Sequence, residues 1–580
     1  MKITRTLPHT FKCIGIGLLI AGCGGGGSGS AGNASGSGQN LAGSPSSPPA
    51  PATAPPDSSQ PVLALPSNVA NGSTVALECG RVYRGTLDLA GKSNVSVKTN
   101  GTCGKAVITP GQEITGWTRH QGNVWVAPVA FDAAQVIVDG RPMAKAHWPS
   151  KSQTWATSSS TSANSLGYAM PNGDLNGATL VFRQHDWSIE ARRITGYSGN
   201  TISFTSTGNS AYYDLAATQP VKFYVEGKLW MLDEADEWVV NAGKLYVWTP
   251  DGQSPEGRTW ASPDMAAIDA TNSSGISVEG VRIYGASNGI GAQGARNLRV
   301  ANTEIVNSSE NGIFNTGGSG LNVDGIAIRN TRHNAIYVRW GGGNESIRNS
   351  TFDSTGVLGM PTNSNGAVTL TLSPGATVAD NTVRNSGYIG IRVFENSTVS
   401  RNTIEGSCQV LTDCGGIYAS SENQQALNTR IEGNTIRNTS PDKRLSWGVQ
   451  LDDANTVTVS NNTFAGNHNG IMLFNSANIN VSGNRFDGST QAHIQMAESR
   501  SGGVRNNSVS GNTFTSGAGE EMYRVSSDLG SAAVAQFGSY GNNSYSSSNS
   551  RFANFNGELV TFAQWKSRTG QDSSSTYTGP

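Results

Sequence analysis

GIMLFNSANINVSGNRF, residues 470–486, alternates apolar with small polar residues and places asparagines where a chain would turn. Phrases of the same build recur as NTEIVNSSENGIFN (302–315), NTVRNSGYIGIRVF (381–394) and NTIRNTSPDKRLSWGVQLDD (434–453). Aligned on an N-x-[IVF] marker, the repeats place Ile305, Ile328, Phe352, Val383, Ile404, Ile436, Phe464, Phe486 and Phe514 at one position, with intervals of 21 to 32. The shortest intervals, 21 to 24, suit one coil of a solenoid in which each repeat covers its neighbour's apolar face. A second marker, Gly or Ala before an apolar residue, gives Ile313, Ile336, Val368, Ile391, Ile417, Val449 and Ile471. Period-two alternation at both markers makes the coil β rather than helical.

These phrases resemble the right-handed parallel β-helix of pectate lyases and related carbohydrate-active proteins, over roughly residues 263–525. The resemblance implies an all-β solenoid. In most coils the second marker follows the first by 7 or 8 positions, but 352–368 spends 16, and 404–417 and 436–449 spend 13 each. The extra residues therefore leave at one corner in three of four consecutive coils, which predicts a cleft wall there. Before the coils, residues 62–262 hold an opening coil and aromatic-rich strands such as NVWVAPV and KLYVWTP, expected to form a β-rich insertion at the solenoid's N-terminal end. Residues 526–580, with the amphipathic ELVTFAQWKSRTG, are expected to cap the other end.

The N-terminus reads as an address. Lys2, Arg5 and Lys12 precede the apolar run Ile14–Ala21, and Leu19-Ile20-Ala21-Gly22-Cys23 resembles the bacterial lipobox. That resemblance implies a signal peptide over residues 1–22 and lipid on Cys23. With Gly24 rather than Asp next in line, it further implies an outer-membrane anchor. Residues 23–61, rich in Gly, Ser and Pro, read as a tether. Cys79, Cys103, Cys408 and Cys414 remain, and in an oxidising compartment their simplest pairing is Cys79 with Cys103 and Cys408 with Cys414. The spacing fits no zinc motif, so no metal is expected. A net charge of −1 offers no basic face for nucleic acid, and no apolar run long enough to cross a bilayer follows residue 23.

Side chains one and three positions after the second marker should point out of the solenoid. The first outward column reads Phe314, Tyr337, Thr369, Arg392, Tyr418, Gln450 and Met472; the second reads Thr316, Arg339, Thr371, Phe394, Ser420, Asp452 and Phe474. Aromatics mixed with Arg, Gln and carboxylate suit a sugar chain, so Tyr337, Arg339, Arg392, Tyr418 and Gln450 are candidate substrate contacts. The wall adds Lys443, Arg444 and Trp447.

TDCGGIYAS (412–420) and WGVQLDDAN (447–455) resemble phrases of secreted β-helix glycoside hydrolases in which acidic residues do the chemistry. Carried over, the resemblance nominates Asp413, Asp452 and Asp453 as the carboxyl groups a glycosidase requires. An extended strand would hold Asp413 and Asp452 roughly 23 Å apart, so their pairing needs the chain to fold back. Glu395 with Asp453, two coils apart at roughly 9.6 Å between backbones, is the rival pair.

The expectation is a monomeric, lipid-anchored envelope protein that hydrolyses a polysaccharide without a cofactor. The alternatives are a lyase or epimerase on uronic acids, using Arg392, Tyr418 and Lys443 or Arg444, and a non-catalytic glycan-binding adhesin.

Overall fold

The computed structural model describes residues 52–57, 61–153, 155–207, 215, 220–357, 368–421, 423–440, 445–548 and 550–580. Cys23, Lys443 and Arg444 lie outside them.

Three long sheets, in which successive coils pair in parallel, wrap one continuous apolar interior. We name them sheets I, II and III, of 15, 14 and 13 strands. Each coil passes through III, then I, then II, as in Arg299–Ala301, Glu304–Ser308 and Ile313–Thr316. All nine first-marker residues stack in register in sheet I, from Ile305 on Ile328 to Phe486 on Phe514. All nine are fully buried. Burying each such side chain stabilises by about 1.5–3 kcal/mol, and the stack repeats that gain coil by coil. Phe464, Phe486, Phe514 and Tyr545 lie ring over ring with centroids 4.7–5.0 Å apart.

Asparagine recurs for a reason of its own. Asn381, Asn402, Asn434, Asn462, Asn484, Asn512 and Asn543 form a buried ladder in which each side-chain amide donates to the next Asn Oδ1 at 2.9–3.1 Å. A turn inside a solenoid carries backbone groups that water cannot reach, and this ladder satisfies them.

The sheets extend beyond the stretch 263–525 at both ends. Val62–Ala64, Val82–Arg84 and Val107–Thr109 already belong to sheet I, and Ser544–Ser547 and Thr576–Thr578 continue it. Helix α1 (Phe562–Thr569) opens on a capping box, with Thr561 and Gln564 bonding each other's backbone, and buries Trp565 face to face with Tyr523 at 4.8 Å. The tether also ends earlier than the composition indicates. Thr53 is buried, its N–H donates to Gly140 O at 3.0 Å, and Asn307 Nδ2 donates to its hydroxyl at 2.7 Å.

Between Val107–Thr109 and Ile268–Asp269 the chain leaves the solenoid and builds three further sheets around apolar clusters of its own. This insertion is not confined to the N-terminal end. Its hairpin Thr179–His185/Ser188–Ser198 reaches the coil of Cys408, where Thr412 N–H donates to Asp186 O at 3.1 Å. Val181, Ile189 and Tyr224 pack there with Val368, Ile389 and Leu411. The same contact corrects one marker. Leu370, not Val368, stacks on Ile336 and Ile391, because Val368 is taken up by the insertion's apolar face. The outward columns at this coil therefore read Thr371 and Ser373 in place of Thr369 and Thr371.

Both expected disulfides, Cys79–Cys103 and Cys408–Cys414, are formed.

Candidate active site

The corner between sheets I and II, where the long connections emerge and the insertion leans in, carries the candidate residues on sheet II. Arg392, Tyr418, Gln450 and Met472 are register partners, as are Ser420, Asp452 and Phe474.

Asp413 and Asp452 come together there. Gln450 Nε2 donates to Asp413 Oδ1 at 3.0 Å and to Asp452 Oδ2 at 3.3 Å. These two oxygens therefore lie no farther apart than two hydrogen bonds laid end to end, about 6 Å. The extended-strand separation fails because the chain turns just ahead of the strand Cys414–Ser420, in which Gly415 packs tightly on the next coil. A Cβ there would lie 2.6 Å from Ile417 O and 3.1 Å from Gln450 Cβ, a fit open only to glycine. Asp413 itself adopts a left-handed φ of 56°. Its N–H donates to Leu445 O at 2.8 Å and its carbonyl accepts from Tyr388 Oη at 3.0 Å. The neighbouring Cys408–Cys414 bond ties this turn to its coil.

Crowding two carboxyls into a partly desolvated corner disfavours charge on both. Burial, reinforced by the charge of Asp186 on the insertion hairpin, raises the Asp413 carboxyl, while the Gln450 amide opposes the rise. Asp452 is pushed up to about 8, by burial first and then by the charge of Asp413, against hydrogen bonds from Tyr418 and Gln450. Burial and the charge of Asp452 hold the Tyr418 hydroxyl well above its ordinary range.

The members of the rival pair have other partners. Asp453 accepts an ion pair from Arg500 at 2.6 Å, and the charge of Glu395 acts on Arg339. Two sequence-nominated contacts change role. Trp447 is 2% exposed and donates its indole N–H to Gln495 at 3.0 Å, which leaves no face for a sugar. Gln450, also 2% exposed, aligns the acid pair instead of meeting solvent.

From the acid pair toward the N-terminus runs a strip of alternating rings and guanidiniums. Arg392 lies 5.3 Å from the Tyr418 ring and 5.4 Å from that of Phe394; Arg339 lies 4.3 Å from Phe394 and 5.4 Å from Trp340. Tyr337 stacks on Phe314 at 5.6 Å. Sequence reasoning passes over Trp340, 73% exposed at a left-handed φ of 55°, and Asp186 and Trp187 of the insertion. Trp340 is signalled by its place after Arg339, ahead of the turn glycines Gly341–Gly343. No local pattern links 186 to 413.

The three histidines of the coils have partners of their own. His333 pairs with Glu310 at 3.1 Å, His468 meets Thr490, and His493 is buried against Phe486 and Phe514.

Two family models match parts of the chain: "Right handed beta helix region" over residues 266–436 and "Periplasmic copper-binding protein (NosD)" over 415–519. No curated protein matches by sequence. Among solved structures, one described as "Glycoside hydrolase" shares 15% identity, covering 72% of this chain and 89% of that one at a TM-score of 0.51. The A-module of mannuronan C-5 epimerase AlgE6 of Azotobacter vinelandii shares 13%, covering 55% and 84%, at 0.36. XylC in complex with xylose shares 13%, covering 83% and 72%, at 0.32. With the sheet topology, the first family model and the first structure define the protein as a right-handed parallel β-helix. Among the described residues no three His, Cys, Asp or Glu side chains gather into a metal-holding group.

Proposed function

We propose that this protein hydrolyses glycosidic bonds of a polysaccharide, with Asp452 as general acid and Asp413 as nucleophile. The convergence of the two carboxyls on Gln450 carries the reading. Two such groups bonded to one amide nitrogen share one proton at neutral pH, because neither site tolerates a second charge. Asp452, pushed up by its burial and by the charge of Asp413, keeps the proton even against the hydrogen bond from Tyr418; Asp413, with the shorter bond from Gln450, carries the charge. The acid protonates the leaving glycosidic oxygen as Asp413 attacks the anomeric carbon. Water then cleaves the glycosyl ester and returns a proton to Asp452. The ceiling of about 6 Å between these oxygens falls short of the roughly 6.5–9.5 Å used by inverting enzymes, so retention of configuration is the expected outcome. Phe474 beside Asp452, and Phe394 and Trp340 along the strip, supply stacking faces for a chain of sugars. The similarity in fold to a glycoside hydrolase agrees with this reading.

A lyase or epimerase would use Tyr418 as base. Burial and Asp452 both hold its proton in place, which favours hydrolysis. The lipobox-like run ending at Cys23 supports a lipid anchor in the bacterial envelope, with the enzyme acting as a monomer outside the cytoplasm.

The test is an assay of the chain from residue 24, which keeps the docked Thr53, on a polysaccharide panel, following reducing ends together with absorbance at 235 nm. Reducing ends without absorbance, lost in Asp452→Asn, support hydrolysis. Absorbance rising with the ends makes the protein a lyase, and binding without turnover makes it an adhesin.

A further inference from the structure

Arg339 and Arg392 are an unusual feature for a surface that only stacks neutral rings. They share Phe394, at 4.3 and 5.4 Å, and each also lies near a second ring, Trp340 and Tyr418 respectively. Outward residues of the coil between them are small and covered: Thr371 and Ser373 are each 1% exposed. Arg339 thus spans a whole coil to reach Phe394, a trough that larger side chains at 371 or 373 would fill. Burial, and then the positive charge of Arg392, disfavours the charged form of Arg339, and the carboxylate of Glu395 offsets this only in part. Two like charges are held close together around the shared ring of Phe394, whose face attracts cations.

We propose that Arg339 and Arg392 form a subsite for an anionic group, a carboxylate or sulfate, on a sugar next to the one cleaved. The inference rests on the polysaccharide reading above and narrows it to acidic chains. Guanidiniums match both oxyanions with paired N–H donors. Arg392 and Asp452 are two coils apart, about 9.6 Å along the solenoid, with Tyr418 between them. That interval places the anion on a neighbouring sugar, away from the acid pair, whose own charge would repel it.

The test is affinity electrophoresis of the full-length protein in mild detergent against four embedded probes. These are polygalacturonate and its methyl ester, and a sulfated galactan and its desulfated form. The expected result is that one charged probe binds at least about tenfold more tightly than its neutral partner, and that added NaCl erodes the preference. The carboxylate and sulfate pairs tell the two sources apart. Arg339→Gln should abolish the preference and Arg339→Lys should retain part of it; Arg392→Gln provides the same readout should the first variant not fold. Equal binding of charged and neutral partners, or a preference unmoved by both glutamine variants, overturns the subsite and leaves hydrolysis standing. Failure of all four probes, with turnover on a neutral polysaccharide, also overturns the subsite alone. Absence of both binding and turnover on every polysaccharide overturns both readings.

Discussion

Asp413 and Asp452 accept hydrogen bonds from a single nitrogen, Nε2 of Gln450, although they belong to successive coils of the solenoid. The shared donor makes the two carboxyls one titrating unit whose members take different roles. Asp452→Asn should lower kcat on the natural polysaccharide by about 10²–10⁴ but spare an aryl glycoside whose leaving group needs no protonation. Asp413→Asn should abolish turnover of both substrates. Equal losses on both substrates in both variants would sink the assignment of acid and nucleophile.

Gln450 touches the pair without facing solvent, so its variants should act through the titration of the pair. Its bond lowers both carboxyl pKa values, and Gln450→Leu removes it from both. The acidic limb of the kcat/KM profile, where the nucleophile ionises, should move to higher pH. A purely structural role would lower the whole profile without shifting it. Two carboxyls losing a buried donor should also cost stability, about 1–3 kcal/mol.

Stability should fall as pH rises. Asp452 is pushed up to about 8 in the folded chain, whereas an unfolded Asp titrates near about 3.9. Between those values the native state holds a proton that the unfolded state has released, so unfolding free energy decreases with pH across that window and levels off above it. Glu237, raised to about 8, and Glu345, raised to about 7, act in the same direction. The informative quantity is therefore a difference. Asp452→Asn should raise Tm relative to wild type at pH 8 by more than it does at pH 4. A gap that does not widen between these pH values would contradict the burial of this carboxyl.

Much of the solenoid is legible because its rule is local. Ile305, Ile328 and Phe352 share a position because each must cover the one before, and period and alternation follow from that. The outward columns inherit the same register, which is why Arg392, Tyr418 and Asp452 fall on one face as their spacing predicts. What escapes is whatever one long connection does to another. Val368, after Ala367, satisfies the marker and Leu370, after Thr369, does not, yet the insertion, far earlier in the chain, takes up Val368 and leaves Leu370 for the interior. Trp447 looks like an exposed wall residue until Gln495, two coils away, claims its indole. Extended geometry overstates the distance from Asp413 to Asp452 because Asp413 turns at a left-handed φ just ahead of the strand Cys414–Ser420, whose Gly415 and Gly416 allow close packing.

The turn beside those glycines offers the most selective test of the site. Gly415 lies in the strand that follows Asp413 directly, and an added methyl would meet Ile417 O and Gln450 Cβ at separations that real Cβ atoms avoid. The obstacle is backbone on one side and the root of a strand residue on the other, so neither yields as a side-chain tip would. Gly415→Ala should push the 408–414 turn outward and break the Gln450–Asp413 bond. The asparagine ladder, at the passage from sheet III to sheet I, should be untouched, whereas Ile404 and Ile436 of the first-marker stack pack against the adjacent Gly416 and mark how far any shift spreads. The expected variant keeps its far-ultraviolet spectrum and a cooperative melt, loses about 1–3 kcal/mol to overpacking, and has lost turnover. Substrate binding along Arg339, Phe394 and Trp340 should persist, because that strip does not depend on the turn. Wild-type turnover in Gly415→Ala would mean that Asp413 need not meet Asp452, and the paired-carboxyl mechanism would have to be given up.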